Sequence, residues 1–152
     1  ILSGYSTQEI PMFAETSHSA ELDALLDNWT DSGTNTKAAF SEYKDLLLSF
    51  ENATLSFKGR PGVSFSLRAK HENQTERDLF VLVDVVDDDP ADRWLSVCFY
   101  ADMINDAEEL GDWVPGGLMG EDACCFNLDE DDAEMRSYIK DRITDAFNSA
   151  KK

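Results

Sequence analysis

Carboxylates are the chemically active side chains that this sequence holds in excess, and many of them occur in two clusters. The carboxylates that could bind a cation are Asp87, Asp88, Asp89, Asp129, Asp131 and Asp132. Calcium takes several oxygen ligands in flexible geometry, so the clusters raise the hypothesis of a divalent-cation or iron site. The second cluster, however, lacks the glycine and the distal glutamate of an EF-hand loop. A run of acids where a helix begins is usually a solvated first turn, so residues 129–132 favour a helix start.

Groups suited to nucleophilic or acid–base catalysis are sparse. His18 and His71 are the only histidines, and no nucleophile motif such as G-x-S-x-G accompanies them. The glycine-rich segment 111–120 contains neither the dinucleotide fingerprint nor the lysine of a P-loop. The sequence therefore identifies no catalytic residue and no cofactor, and enzyme function is a hypothesis without support.

The cysteines indicate reduced thiols. Cys98, Cys124 and Cys125 are odd in number and form no recognisable disulfide framework, which favours a reducing cytosol. Cys124 and Cys125 would point to opposite faces of a strand, so a disulfide between these neighbours is disfavoured. Both are expected to be small buried hydrophobic residues, because free cysteine is among the most buried residue types.

Overall charge narrows the range of partners. The 152 residues include 31 acidic and 13 basic side chains, for a formal net charge of −18. Nucleic acids and anionic membranes are bound through Lys and Arg, so neither is expected as a partner. No apolar run approaches the ~20 residues that span a bilayer, and the N-terminus lacks a signal-peptide pattern. The sequence predicts a soluble, cytoplasmic protein of bacterial type.

The elements that must position these groups are helices, then strands, then a helix. Residues 1–18 lack a clear period and are expected to form an extended arm or tail, which leaves 19–152 as a single domain. Apolar residues recur at helical spacing from 19, again from 36, and from 129 to the C-terminus. Strand-like runs lie between these helices, at 54–58, 63–70, 79–86, 94–100 and 121–128.

The hairpin from Leu79 to Tyr100 is the expected centre of the sheet. Its first run is apolar and β-branched, and residues 87–90 supply the turn, because Asp bonds its own backbone and Pro lacks a donor. Segment 111–120 holds too much glycine and proline for a regular element. The prediction is an α+β fold of two layers, in which an antiparallel sheet of about five strands carries two N-terminal helices and one C-terminal helix.

Basic residues are concentrated in one part of this otherwise acidic sequence. Five of the 13 lie within positions 58–77. Strand alternation sends Lys58, Arg68 and Lys70 to the face opposite the apolar residues of their strands. If the strands pair in order, this face also carries Phe80, Leu82, Asp84, Trp94, Cys98 and Tyr100. Basic and aromatic side chains on an uncovered sheet face predict a binding surface for an acidic ligand or partner, and the alternative is a solvated face on which Arg68 pairs with Asp84.

The order helix, antiparallel sheet and helix over residues 36–150, together with the acidity, is similar to the frataxin-like arrangement. In that arrangement acidic residues on the first helix and the sheet edge bind iron. The resemblance is one of topology and involves no shared motif. It implies an iron- or divalent-cation-binding domain.

Without a catalytic constellation, the sequence favours a non-catalytic ligand-binding or protein-interaction module. The predicted contact residues are Lys58, Arg68, Lys70, Trp94 and Tyr100, and the expected partner is a protein or a small acidic ligand. A homodimer is also possible, in which basic residues of one subunit meet the acidic turn 87–89 of the other. The frataxin-like cation-binding domain and an unrecognised enzyme are the alternatives.

Overall fold

The computed structural model describes residues 12–152. In chain order the elements are α1 (Thr16–Asp27), α2 (Thr36–Ser49), β1 (Ala53–Arg60), β2 (Ser64–His71), β3 (Val81–Val86), β4 (Trp94–Tyr100), β5 (Asp112–Leu118), β6 (Glu121–Leu128) and α3 (Ala133–Ala150). One turn of 3₁₀ helix, Ala101–Met103, follows β4. Helix α1 begins at Thr16 rather than at the predicted residue 19, so the last residues of the predicted arm are helical. Residues 1–11 of that arm lie outside the described part of the chain.

All six strands form one antiparallel sheet in the order β1-β2-β3-β4-β6-β5. The predicted central hairpin is present: β3 and β4 are adjacent in the middle of the sheet and pair Val83 with Val97. A buried ion pair closes their turn, with Arg93 Nε 2.7 Å from Asp87 Oδ1. The α+β class, the antiparallel sheet and the positions of the three helices are therefore confirmed.

Strand β5 is the element that the sequence did not reveal. Segment 111–120 was expected to be irregular, yet Asp112–Leu118 pairs with β6 and brings the sheet to six strands. The register shifts between Val114 and Leu118, where Pro115 and two glycines lie. Proline and a bulge are tolerated on an edge strand, because one side of that strand needs no hydrogen-bond partners. The prediction of irregular structure here was wrong because it applied the rule for central strands to an edge.

The helices pack against one side of the sheet, and the core lies between the two layers. In register across the sheet, Phe57, Leu67, Val83, Val97 and Phe126 form one buried row on that side. The helices contribute buried side chains that belong to the same core, namely Phe40, Leu47, Ile139, Ile143 and Ala146. The hydroxyl of Tyr43 donates to the carbonyl of Arg136 at 2.9 Å and so ties α2 to α3. The apolar helix faces are all used on this side, and on the other side of the sheet the loop residue Arg77 covers Tyr100.

The two edges of the sheet differ. The chain just before α1 lies along β1, where Leu55 N donates to Met12 O and Ala14 N donates to Leu55 O, each at 2.7 Å. Among the described strands, β5 at the opposite edge has β6 as its one neighbour. None of the described helices is both long enough and apolar enough to cross a membrane.

Candidate functional site

The side of the sheet away from the helices is largely open, and we call it the open face. Two rows of side chains cross its middle in register. One row consists of Ser56, Arg68, Leu82, Cys98, Cys125 and Asp112, and the next consists of Lys58, Ser66, Asp84, Ser96 and Asn127. Beyond the first row lie Lys70, Tyr100, Ala123 and Val114, and beyond the second lie Arg60, Ser64, Val86 and Trp94.

The five predicted contact residues all belong to strands at the positions that put them on the open face, but they are not equally accessible. Lys58 is exposed, whereas Arg68, Lys70 and Trp94 are half-buried. Tyr100 is only 2% exposed, because the guanidinium of Arg77 lies 4.1 Å from the centre of its ring. Four of the five side chains are therefore within reach of a partner.

Arg77, which covers Tyr100, is fully engaged within the fold. Its guanidinium donates to Asp102 at 2.8 Å and to Glu121 at 2.7 Å. These hydrogen bonds hold the pKa of both carboxyls below their ordinary values. The charge of Arg77 is thus already matched by two partners.

Phe80 departs from the expected face. It was predicted to continue the open face, yet it is fully buried on the helix side, with Phe50 and Phe147 at ring-centre distances of 6.4 and 5.9 Å. Phe80 precedes the first residue of β3, so the alternation of that strand does not extend to it. This prediction was wrong for that reason.

Arg68 is the least satisfied side chain on the open face. Its Nε is buried and has no hydrogen-bond partner among the described residues. The alternative in which Arg68 pairs with Asp84 is not what the structure shows, since no ion pair between them is formed. A buried donor of a charged group without a partner is costly, because it gives up hydration without replacement. A carboxylate brought to this face would meet the half-buried Arg68 side chain, and it would reach Nε once that side chain moves.

Asp84, at the centre of the face, accepts a hydrogen bond from the Ser66 hydroxyl. Burial raises the pKa of Asp84, and that hydrogen bond and the nearby charges of Arg68 and Arg60 offset the effect only in part. The ionised carboxyl is therefore destabilised relative to one in water.

The basic side chains of β1 and β2 lack internal partners. Lys58, Arg60 and Arg68 form no ion pair with any described carboxylate, although acidic residues outnumber basic ones by 31 to 13. Lys70 has only a long contact of 3.7 Å with the exposed Asp78. Elsewhere the Arg and Lys side chains of α3 are paired, as in the 2.9 Å contact of Lys140 with Glu42. We call Lys58, Arg60, Arg68 and Lys70 the basic strip.

The structure joins Cys98 and Cys125 in a disulfide between β4 and β6, next to Leu82 on the open face. The expectation of three reduced thiols was wrong for these two residues. Cys124 is the remaining free thiol; it is buried on the helix side, and burial raises its pKa to about 11. The prediction that neighbouring Cys124 and Cys125 point to opposite faces agrees with this arrangement.

The acidic clusters have mainly structural partners. Asp87 is buried against Arg93 and also accepts from the backbone of Gly62 at 2.8 Å. Asp132 caps α3 by accepting from Met135 N at 3.0 Å, and Asp131 lies 3.8 Å from Arg136. The remaining candidates, Asp88, Asp89 and Asp129, are exposed. Within residues 12–152 no group of three or more His, Cys, Asp or Glu side chains is arranged to hold a metal ion.

The two histidines also serve the fold. Nδ1 of His71 accepts from Asn73 N at 3.0 Å, and the ring is 4% exposed. Nδ1 of His18 accepts from Phe57 N at 3.3 Å, which ties α1 to β1. Among the described residues, neither ring forms a hydrogen bond with a Ser, Thr or Cys side chain.

Arg60, Asp112 and Val114 are among the open-face residues that sequence reasoning did not place there. Arg60 has the same strand parity as Lys58, and this parity was the signal that could have included it. The sequence could not assign Asp112 and Val114 to the open face, because β5 had not been recognised as a strand.

Comparison with family models, with curated proteins and with solved structures finds no match for this chain.

Proposed function

We propose that this protein is a non-catalytic docking module whose open face binds a partner that carries carboxylates. The observation that carries the proposal is the buried, unpartnered Nε of Arg68 within a basic strip whose one described ion pair is the 3.7 Å contact of Lys70 with the exposed Asp78. Of the 13 basic side chains, seven form ion pairs with described carboxylates, and three of the remaining six, Lys58, Arg60 and Arg68, share the open face. A carboxylate can take two parallel hydrogen bonds from a guanidinium, which a lysine cannot offer.

Apolar groups beside the basic strip supply contact area. Trp94, Leu82 and Val86 are half-buried on the same face. Tryptophan and arginine are enriched among residues that dominate interface energies, because both give large contact area or directed hydrogen bonds at low entropic cost. The partner is therefore expected to place an apolar group over Trp94 and an acidic group over Arg68.

The test uses a glutamate-rich peptide as probe, with binding measured by titration calorimetry and located by backbone amide chemical shifts. Arg68→Glu is expected to weaken binding about tenfold or more, which corresponds to about 1.4 kcal/mol. Trp94→Ala should weaken it as well. Lys152→Glu is the matched control, since it makes the same change of charge at an exposed position away from the sheet.

The proposal is supported if the chemical-shift changes are confined to the open face. It also requires that Arg68→Glu lowers the affinity for the peptide while Lys152→Glu does not. Equal losses in both charge reversals would show that the peptide responds to net charge only, and the proposal would be abandoned. Circular dichroism of each variant checks that the fold is retained. If Arg68→Glu unfolds the chain, the milder Arg68→Gln takes its place.

The cation-binding alternative is not carried forward, because Asp87 and Asp132, two of its six predicted ligands, already use their carboxylates within the fold. A cytoplasmic location remains a prediction from the sequence. The disulfide favours a non-cytoplasmic location instead, since disulfides persist mainly in oxidising compartments. The redox state of Cys98, trapped by alkylation during cell lysis, decides between the two.

A further inference from the structure

Charge is distributed unevenly across the open face. The basic strip lies entirely on β1 and β2, at one side of the sheet. At the other side, the outward-facing charged residues of β5 and β6 are Asp112 and Glu121, and Glu121 shares Arg77 with Asp102, a group that keeps one net negative charge. Asp112 is exposed and forms no ion pair within the described chain. The face is therefore positive along one margin and negative along the other.

Between the two margins the face is more apolar. Leu82 and Val86 of β3 lie beside Trp94 and Cys98 of β4, and all four are half-buried. The disulfide from Cys98 continues this patch onto β6. Asp84 and Ser96 also lie within this patch, so the centre is mainly apolar, and a mainly apolar centre with charged margins is the usual composition of a protein interface.

This pattern is complementary to itself. A two-fold axis that runs parallel to the strands and passes between β3 and β4 turns one open face onto another and exchanges left with right. It places β1 and β2 of one copy over β5 and β6 of the other, so each basic strip meets the acidic margin of its partner. An axis perpendicular to the strands would place basic strip on basic strip.

Resting on the proposed function above, we infer that the carboxylate-bearing partner of the open face is a second copy of this chain, bound face to face about the axis parallel to the strands. Six strands about 4.8 Å apart, with about 3.3 Å per residue along each, give a face of roughly 24 by 23 Å. This approaches the area of about 600 Å² per partner at the lower end of stable interfaces. Two sheets that pack in this way keep their strands nearly aligned.

Charge reversal on each margin tests the symmetry. Lys58→Glu with Arg60→Glu makes the basic margin acidic, and Asp112→Lys with Asn127→Lys makes the acidic margin basic. All four positions are exposed, so the fold is expected to persist. Sedimentation equilibrium should show a wild-type dimer, and each variant alone should associate at least about tenfold more weakly, because like charges then face each other.

The decisive arm is an equal mixture of the two variants. In the mixed dimer, the reversed acidic margin of one chain meets the reversed basic margin of the other, and the remaining contact is native. Association should therefore return to within about threefold of the wild type. Lys151→Glu with Lys152→Glu, which matches the charge change of the first variant away from the face, should leave the dimer intact.

A second measurement does not depend on any variant. A carbodiimide joins the Lys58 amine to the Asp112 carboxyl as an amide with loss of water. These residues lie five strand spacings apart within one chain, about 24 Å, so the cross-link can form only between copies. Mass spectrometry of the wild-type dimer should find it.

A wild-type chain that stays monomeric would overturn this inference, but the proposed function would stand if the acidic peptide still bound through Arg68. A dimer that is not restored in the mixture, or that dissociates equally in the C-terminal control, would also overturn it. Because a face-to-face dimer covers the open face, the peptide is titrated at a protein concentration at which the chain is monomeric, and absence of binding there would remove the proposed function and leave the dimer as an unrelated contact.

Discussion

Asp84 is the residue at which the open face can be tested most directly. Burial raises its pKa, so the carboxyl stabilises the fold most when protonated, and that stabilisation is lost as the pH rises through the folded-state pKa. Asp84→Asn keeps an acceptor for Ser66 without the charge. We expect a higher melting temperature than the wild type at pH 7, and a difference that shrinks below about pH 4.

Asp88→Asn provides the control for that experiment, because Asp88 is exposed in the turn that follows the same strand. Its melting temperature should remain within about 1 °C of the wild type at either pH, as is usual for an exposed surface substitution. A lower melting temperature of Asp84→Asn at pH 7 would mean that the charge interaction with Arg68 outweighs burial, contrary to the pKa direction.

The cysteines give a second prediction at this scale. The unreduced, denatured protein should show one free thiol, that of Cys124, and three after reduction. In the native state Cys124 should resist alkylation at pH 8, because it is buried and its pKa is raised to about 11. Three reactive thiols without a reductant would contradict the Cys98–Cys125 disulfide. A Cys124→Ser variant, in which no thiol should appear before reduction, identifies Cys98 and Cys125 as the pair.

Whether the sequence reveals the position of a side chain depends on whether that position is set within one strand or by the pairing of two strands. Alternation along one strand assigns Lys58, Arg68 and Trp94 to the open face, since it needs only the positions of residues in that strand. The pairing of Cys98 with Cys125 depends on β4 lying next to β6, with β5 placed outside. Nothing local in the sequence encodes this neighbour relation. The cover of Arg77 over Tyr100 likewise comes from a loop that approaches from outside the strand.

At the scale of elements, the start of α2 depends on a residue in the preceding loop. Asn35 occupies the N-cap with a left-handed φ of 60° and makes no side-chain capping bond. Asp31 accepts from the backbone N–H groups of Gly33 and Asn35, each at 2.9 Å, and from that of Lys37 at 3.3 Å. Burial acts to raise the pKa of Asp31, but these hydrogen bonds outweigh it and hold the pKa below its ordinary value.

Asp31→Ala is therefore expected to lower the free energy of unfolding by about 1 kcal/mol at pH 7, as the loss of a helix cap does. The carboxylate stabilises the fold above the unfolded-state pKa, and this contribution disappears as the pH falls through the lowered folded-state value. Urea titrations at pH 7 and pH 2 measure both points. The same substitution at Asp27, which has no described hydrogen bond from its side chain, should have little effect; equal losses at the two positions would show that the cap contributes nothing.

Strand β5 explains why the number of strands was underestimated while the fold class was correct. The class depends on long amphipathic helices and on the apolar alternation of β2 and β4, both of which are strong local patterns. An edge strand buries few side chains, and in β5 only Leu118 is buried. Its conformation is set by pairing with β6, so its own composition, rich in glycine and proline, points to a loop.

At the scale of the whole molecule, excess negative charge is expected to govern stability as well as association. With 31 acidic and 13 basic residues, the folded chain brings like charges closer together than the unfolded chain does, and this repulsion destabilises the compact state. Salt shortens the range of the repulsion to about 10 Å at 0.1 M and about 3 Å at 1 M. The same screening should weaken the contact between basic and acidic margins that we infer for the dimer.

These two effects of salt have opposite signs and can be separated. In the Lys58→Glu, Arg60→Glu variant, expected to be monomeric, the melting temperature should rise steadily as sodium chloride is increased to about 0.5 M, because only self-repulsion remains to be screened. In the wild type at high protein concentration the rise should be smaller, since dimer dissociation removes part of the gain. Magnesium chloride at equal ionic strength should act like sodium chloride in both proteins. A melting temperature of the monomeric variant that falls as salt is added would show that attractive ion pairs, and not the net charge, dominate the electrostatics of the fold.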